Sequence, residues 1–372
     1  MVQCSLPSTC SNNSQPGFPM PNWSDVDTPA VLIDLEKVSA NLLRVQGYAD
    51  AHGLALRPHI KTHKLHRFAN LQVEFGACGI TCQKVGEAES MAAGGIQDIL
   101  ITYNLVGEAK LERLAKLHES IQMGVVTDNE TVAQGYANKF QNPKHRLRVL
   151  VECDTGAGRC GVQTPEEALE LARFIAGQPG LHFLGLMTYP PRNRVAEVDQ
   201  WLEDARKLLT ENHLAPEVIS SGGTPNYYQA AEVKAVTEHR PGTYIYCDRM
   251  MASYGFGMLD DCALTVLATV VSRPTENRAV VDTGSKSLGS DRCDAPGMGH
   301  LVEYPDAIIT TLNEEHGTID LSACANKPAI GEKVRIIPNH VCLVSNLFDQ
   351  VNLIRQDQVE ATVPVNARGM VS

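Results

Sequence analysis

The chain has 372 residues, 43% of them hydrophobic and 20% charged, with a formal net charge of −11. This size predicts about two domains with room for a substantial core. The acidic balance, with no long basic run, argues against nucleic acid and anionic membranes as partners. No segment nears the roughly 18 consecutive apolar residues that suggest a membrane span.

Residues 1–24 are rich in Ser, Asn and Pro and lack both a basic n-region and an apolar h-region. They do not read as a signal peptide, and we expect a flexible or surface-draped arm over residues 1–26. The eleven cysteines are an odd, scattered set without a CxxC pair. That speaks against a disulfide framework and fits a reducing cytoplasm.

From residue 30 short apolar runs alternate with helical patterns. Ala30–Asp34 reads as a strand and Leu35–Ala51 as a helix, with Gly53 as its stop signal. Further strands are expected at Leu54–Ile60, Ala77–Cys82, Asp98–Thr102, Met123–Thr127, Leu147–Cys153, His182–Met187, Glu217–Ser220 and Thr243–Cys247. Helices are expected at Lys84–Ala93, Glu108–His118, Asn129–Lys139, Pro165–Ala176 and Arg194–Asn212, with a shorter one at Tyr227–Val236. This alternation signals parallel βα units. Nine strand slots exceed the eight of a closed (β/α)8 TIM barrel. Giving the first to another domain leaves a barrel over residues 35–256; an open doubly wound sheet is the alternative. After about residue 257 the pattern becomes strand after strand, from Ala263–Ser272 to Val359–Pro364, with Val341–Val344 among them. We expect a C-terminal antiparallel β-domain made of residues 257–372 plus 27–34.

Arg57-Pro58-His59-Ile60-Lys61-Thr62-His63-Lys64 closes the first barrel strand. Alternate strand residues share a face, so Arg57, His59, Lys61 and His63 are expected inside and Lys64 outside. A lysine crowded by positive groups can be tuned as a nucleophile or Schiff-base former; a solvated basic patch is the competing reading. Barrel active sites lie at the C-terminal strand ends. There stand Gln83, Arg159 within Asp154–Gly161, Tyr189 before Pro190-Pro191, and the tyrosines 244 and 246. Ser221-Gly222-Gly223-Thr224 follows strand seven, where this architecture usually holds phosphate. A lysine and a phosphate cradle fit pyridoxal phosphate, and equally a sugar-phosphate aldolase. Separately, His340-Val341-Cys342 on a strand would put imidazole and thiolate on one face, able to share a metal ion. Glu314, Glu315 and His316 are either supporting groups or a hairpin tip.

Together these motifs resemble those of the D-threonine aldolase/D-serine dehydratase family, alanine-racemase-like fold type III pyridoxal-phosphate enzymes. The resemblance spans roughly residues 27–370. It implies a homodimer acting on a small D-amino acid. It also implies that Lys61 carries the cofactor. The general base is left open by the sequence, with His59, His63, His316 and a metal-bound hydroxide as candidates. Arg159 would contact the phenolic oxygen, and Gly222, Gly223 and Thr224 the phosphate, with Tyr246 assisting. His340 and Cys342 would hold a divalent metal near the substrate's β-hydroxyl. The Pro190-Pro191 pair replaces a His-Gly of some relatives, which leaves side-chain specificity open. Several aldolases carry Asp at position 342, and Cys is typical of dehydratases. A thiolate shifts preference from Mn²⁺ towards Zn²⁺. The expected activity is aldol cleavage of D-β-hydroxy-α-amino acids to glycine and an aldehyde. Dehydration of D-serine or D-threonine to a 2-oxo acid and ammonia is the alternative, and a non-catalytic cofactor carrier a third.

Overall fold

The computed structural model describes residues 21–372, which form two compact units. The expected N-terminal arm lies, for residues 1–20, outside the described residues. One unit is made of residues 44–245, 251–257 and 365–372, the other of 246–250 and 258–364 with the described residues up to 43.

In chain order the strands and helices begin with β1 (Ala30–Asp34) and α1 (Leu35–Ala51). The βα units follow: β2 (Ala55–Leu56), α2 (His66–Glu74), β3 (Ile80–Cys82), α3 (Val85–Ala93), β4 (Asp98–Ile101), α4 (Glu108–Ser120), β5 (Gln122–Thr127) and α5 (Glu130–Lys139). Then come β6 (Leu147–Cys153), α6 (Pro165–Ala176), β7 (Leu181–Thr188), α7 (Val195–Glu211), β8 (Val218–Gly222) and β9 (Glu238–Arg240). Strands β2 to β9 make one eight-stranded parallel sheet in the order β2-β9-β8-β7-β6-β5-β4-β3. Its ends meet through a parallel bridge between His59 and Thr81, the Thr81 N–H donating to Pro58 O at 2.7 Å. Parallel strands are buried on both faces, which is why Leu147–Cys153 is apolar almost throughout. Leu100, Val126, Leu150 and Met187 pack together as one cluster. The helices carry ordinary boundary signals: Thr164 Oγ1 accepts from Glu167 N at the start of α6, Pro165 is its first residue, and Gly177 closes it.

Two expectations fail here. The eighth strand is Glu238–Arg240, not Thr243–Cys247; Thr243–Ile245 is a 3-10 turn, and Tyr244 is buried with its hydroxyl accepting from Gln72 Nε2. Glu-His-Arg does not read as a buried strand because its charges are neutralised by distant partners. The first barrel strand is also shorter than Leu54–Ile60. Pro58 offers no N–H, and Ile60–Thr62 turn as a 3-10 segment whose first N–H groups include that of Lys61, captured by the His59 side chain.

In the other unit, α8 (Arg249–Ser253), β10 (Leu264–Thr275), β11 (Arg278–Val281), α9 (Ser285–Leu288), β12 (Gly299–Leu301), β13 (Ile308–Leu312) and β14 (Gly317–Asp320) succeed one another, α8 straddling the boundary between units. The chain ends in β15 (Lys333–Pro338), α10 (Val341–Leu347), β16 (Gln350–Arg355) and β17 (Gln358–Pro364). Their nine-stranded sheet includes β1, antiparallel to β10 and parallel to β16. So the first strand does leave the barrel, and one parallel pair makes the sheet mixed. Val341–Leu347 is a helix where a strand was expected. Trp23 and Val26 pack on the cluster formed by Ala30, Leu32, Leu267, Ile354 and Val359. Among the described residues no helix is long and apolar enough to cross a membrane.

Candidate active site

Among the described residues 56–65, Lys61 alone is exposed. Its turn is fixed from several directions. The Lys61 N–H donates to His59 Nδ1 at 3.3 Å, so that nitrogen carries the lone pair. His59 Nε2 then holds the proton and donates to Gln83 Oε1 at 3.1 Å, while Gln83 Nε2 donates to Thr102 O at 2.9 Å. Burial, then the Lys61 charge, holds His59 well below the usual imidazole range, so it is neutral. Gln83 is tied in turn to Glu87, whose Oε2 accepts from the Gln83 N–H at 2.7 Å. The other carboxylate oxygen of Glu87 stands 3.3 Å from Lys64 Nζ, with both side chains buried.

The alternation expected of a strand does not hold here. Lys64 does not face out: it is 5% exposed, sits at φ +54°, and forms a buried ion pair. His63 does not join Lys61 either. It is buried against Phe68, its Nδ1 accepts from Leu65 N, and its Nε2 meets Gln72 Oε1; burial lowers it to about 4. Arg57 donates to Glu238 and Asp98 at 2.7 and 2.6 Å. A 3-10 turn rotates successive side chains by about 120°, so the two-residue period ends at His59.

The expected phosphate loop is joined to this turn through Gly242. A Cβ on Gly242 would stand 3.1 Å from Thr62 Oγ1 and 3.2 Å from His59 O, and the Gly242 N–H donates to Thr224 Oγ1 at 3.0 Å. Gly223 has φ +103°, and a Cβ there would stand 3.2 Å from the Tyr189 ring. Tyr189 is 39% exposed and carries the Arg159 guanidinium 4.6 Å from its ring centroid. Ser221 is buried at the end of β8. The structure thus groups Thr224 with the Lys61 turn, and Gly223 with Tyr189 and Arg159. Beside them a cleft of about 490 Å³ is lined by Gln83, Tyr103, Asn104, Lys110, Glu152 and Arg159, among others.

Two charged residues of this region escaped the sequence reading. Glu152 interrupts an apolar strand, is 4% exposed, and stands 3.9 Å from Arg159 Nη2. Arg240 is buried, donating to Ser220 Oγ at 2.5 Å and to Thr188 O at 2.8 Å; a Cβ on Gly222 would stand 2.7 Å from its Nη2. A carboxylate inside a hydrophobic run was the available signal for Glu152. For Arg240 the surrounding sequence offers none.

Tyr246, His340 and Cys342 belong to the other unit. His340 caps α10 and Cys342 lies in its first turn, not on a strand. Asp248 Oδ2 accepts from Val341 N at 3.2 Å, which helps start the helix there. Burial opposes a charge on His340, but Cys342, Asp248 and Asp291 outweigh it and raise the imidazole to about 9. Its Nδ1 is 3.7 Å from Asp291 Oδ2. Surroundings that favour an imidazolium would equally favour a metal cation, and the nitrogen–sulfur donor pair suits Zn²⁺. Among the described residues no three His, Cys, Asp or Glu side chains form a metal-ligand group, so the fit is to a site with two protein donors and open positions. Tyr246 is fully buried, and burial, then the Cys342 charge, holds its phenol well above the usual range. Glu314 and Glu315 are exposed and paired with Lys286 between β13 and β14; with exposed His316 they form a hairpin tip.

Comparison with known proteins agrees with this architecture. Residues 33–250 match the family model of the alanine racemase N-terminal domain, and residues 263–354 that of a putative serine dehydratase domain. The chain is 36% identical to D-threonine aldolase from Arthrobacter sp., over 96% of each chain. The crystal structure of D-threonine aldolase from Filomicrobium marinum superposes with a TM-score of 0.88 at 31% identity, covering 96% of this chain and 100% of that one. A cysteine-to-alanine mutant of D-threo-3-hydroxyaspartate dehydratase, solved in the metal-free form, gives 0.82 at 27% identity, covering 92% and 98%. The chain therefore belongs to the D-threonine aldolase/D-serine dehydratase family, lyases of the pyridoxal-phosphate class built on the alanine racemase fold.

Proposed function

We propose that the protein is a homodimeric aldolase that cleaves D-β-hydroxy-α-amino acids such as D-threonine to glycine and an aldehyde, using pyridoxal phosphate and a divalent ion, Zn²⁺ or Mn²⁺. When bound, the cofactor supplies an electron sink for the charge left at Cα, and the ion a Lewis acid that acidifies the β-hydroxyl. Lys61 Nζ is the attachment point. Ser221, Gly222, Gly223 and Thr224 would hold the phosphate and Arg159 the phenolic oxygen, with Tyr189 and Gln83 completing the cofactor-binding set. His340 and Cys342 hold the ion. His59 has both ring nitrogens engaged and is neutral; it fixes the backbone from which Lys61 is presented.

The observation that carries this reading is one exposed lysine on a buried and braced turn, whose flanking His59 and Thr62 pack on Gly242, the donor to Thr224. Dehydration of D-serine or D-threonine is the second reading, favoured by the thiol at position 342 and by the dehydratase-type match over residues 263–354. Incubation with D-threonine and added Zn²⁺ or Mn²⁺ separates the two. Glycine and acetaldehyde are expected; 2-oxobutanoate and ammonia would establish the dehydratase. Borohydride reduction with pyridoxal phosphate should label Lys61, and a label elsewhere would overturn its assignment.

A further inference from the structure

Glu152 is the penultimate residue of β6 and lines the 490 Å³ cleft together with Gln83 and Arg159. The charged and titratable groups that face it are Cys153 beside it, Arg159, Asp154 and Cys160 from the loop after its own strand, Asp128 from the end of β5, and Arg240 from β9. Both acids have other work. Asp154 Oδ1 accepts the N–H groups of Gly156 and Gly158, at 2.9 and 3.1 Å. Asp128 accepts from Asn104 Nδ2 at 2.9 Å and from Gly161 N at 3.0 Å. Arg240 is engaged by Ser220 and Thr188. Arg159, by contrast, is more than half exposed, and its guanidinium lies 4.6 Å from the Tyr189 ring centroid and 3.9 Å from a Glu152 carboxylate oxygen. An aromatic face fixes the height of a guanidinium but leaves it free to slide; a buried carboxylate gives it a direction.

We propose that Glu152 is a positioning residue that aims Arg159 at the cofactor's phenolic oxygen, so that the hold on the cofactor depends on the charge of Glu152. This rests on the functional reading given above. Burial raises the Glu152 carboxyl to about 6, against the pull of Arg159. Above that pH the carboxylate aims Arg159; below it the proton removes the attraction.

The test uses 4′-deoxypyridoxine phosphate, which keeps the phosphate and phenolic oxygen but cannot attach to Lys61. Its dissociation constant is measured by fluorescence titration at pH 5 and pH 7.5, for the full chain freed of cofactor and for Glu152→Gln. The wild type is expected to lose about tenfold more affinity on acidification than the variant. In an Arg159→Gln background the difference between the two should vanish. Equal pH ratios, or a Glu152→Gln effect that persists without Arg159, would overturn the proposal. Glu152→Asp keeps the charge and should retain part of the pH response; if it behaves as Glu152→Gln does, charge is not the cause and the proposal fails. Borohydride labelling of the wild type with pyridoxal phosphate runs alongside. Labelled Lys61 with flat pH ratios sinks this inference alone, whereas no labelling and no binding at either pH sinks the functional reading with it.

Discussion

The ion pair between Arg57 and Glu238 offers a stringent test of how the barrel is held. Arg57 Nε stands 2.7 Å from Glu238 Oε2, with the two side chains 10% and 5% exposed. Glu238 Oε1 accepts from Ser220 Oγ at 2.5 Å. Arg57 also meets Asp98, but Asp98 keeps Arg148 at 2.8 Å if Arg57 is lost. Arg57→Met therefore strands chiefly one group, the Glu238 carboxylate, and breaking a buried pair in this way costs about 3–5 kcal/mol. Glu238→Gln leaves Arg57 its Asp98 partner, so its cost is set by a weakened hydrogen bond, about 1–3 kcal/mol. With both changes the stranded carboxylate is gone, although buried Arg240 loses the pull of Glu238 and keeps that of Glu152, and the loss should be about 1–2 kcal/mol, less than for Arg57→Met alone. Urea unfolding followed by far-UV circular dichroism measures all three. If the double variant is as unstable as the two losses added together, the pair does not exert its effect through a stranded charge, and the reasoning is wrong.

Gly223→Ala places a side chain at φ +103° and 3.2 Å from Tyr189. It should cost about 1–3 kcal/mol and weaken pyridoxal phosphate binding, whereas Gly53→Ala, at φ +66° with open space around it, should cost stability without touching cofactor affinity. Glu152 has its folded-state pKa raised from 4.5 to about 6, so its charge costs stability above about pH 6 and the cost disappears below 4.5. Glu152→Gln should accordingly stabilise by about 2 kcal/mol at pH 8 and change little at pH 4; thermal melts at the two pH values check the sign. Cys342→Asp replaces a soft donor by a hard one and should move metal preference from Zn²⁺ towards Mn²⁺, read from metal content after dialysis against an equimolar mixture.

The barrel was legible because strands buried on both faces are largely apolar, as in residues 147–151 and 99–101, and because helix ends such as Thr164 and Gly177 announce themselves locally. Apart from the first barrel strand, cut short locally by Pro58 and His59, the elements that misread share one physical cause: a polar group satisfied by a partner far away in sequence. Glu238-His239-Arg240 makes a strand because Arg57, 181 residues earlier, neutralises Glu238 and because Ser220 and Thr188 receive Arg240. Val341–Leu347 starts as a helix where Asp248, 93 residues away, accepts the first N–H. Lys64 is buried because Glu87 waits for it. Helix α2 was missed for a different reason. Its buried residues, Phe68, Ala69 and Gln72, include a glutamine, which blurs the apolar period.

The difference is chemical as well as geometric. On a continuous strand Lys61 would share its face with Arg57 and His63, and its reactivity would be set by a row of like charges. In the observed turn Arg57 is neutralised by carboxylates and His63 is locked onto Gln72. The group that acts on Lys61 directly is His59, neutral and committed through Gln83 to Thr102. Under the proposed function, presentation by a braced backbone, rather than crowding by cations, is then what would make this lysine the one available for covalent chemistry. It follows that Gln83→Leu, which releases His59, should slow the labelling of Lys61 by pyridoxal phosphate and borohydride. Replacing His63 by Asn, even if it loosens α2, should leave the labelling rate within about twofold of wild type. Equal slowing by both changes would mean that the basic cluster, not the braced backbone, controls Lys61.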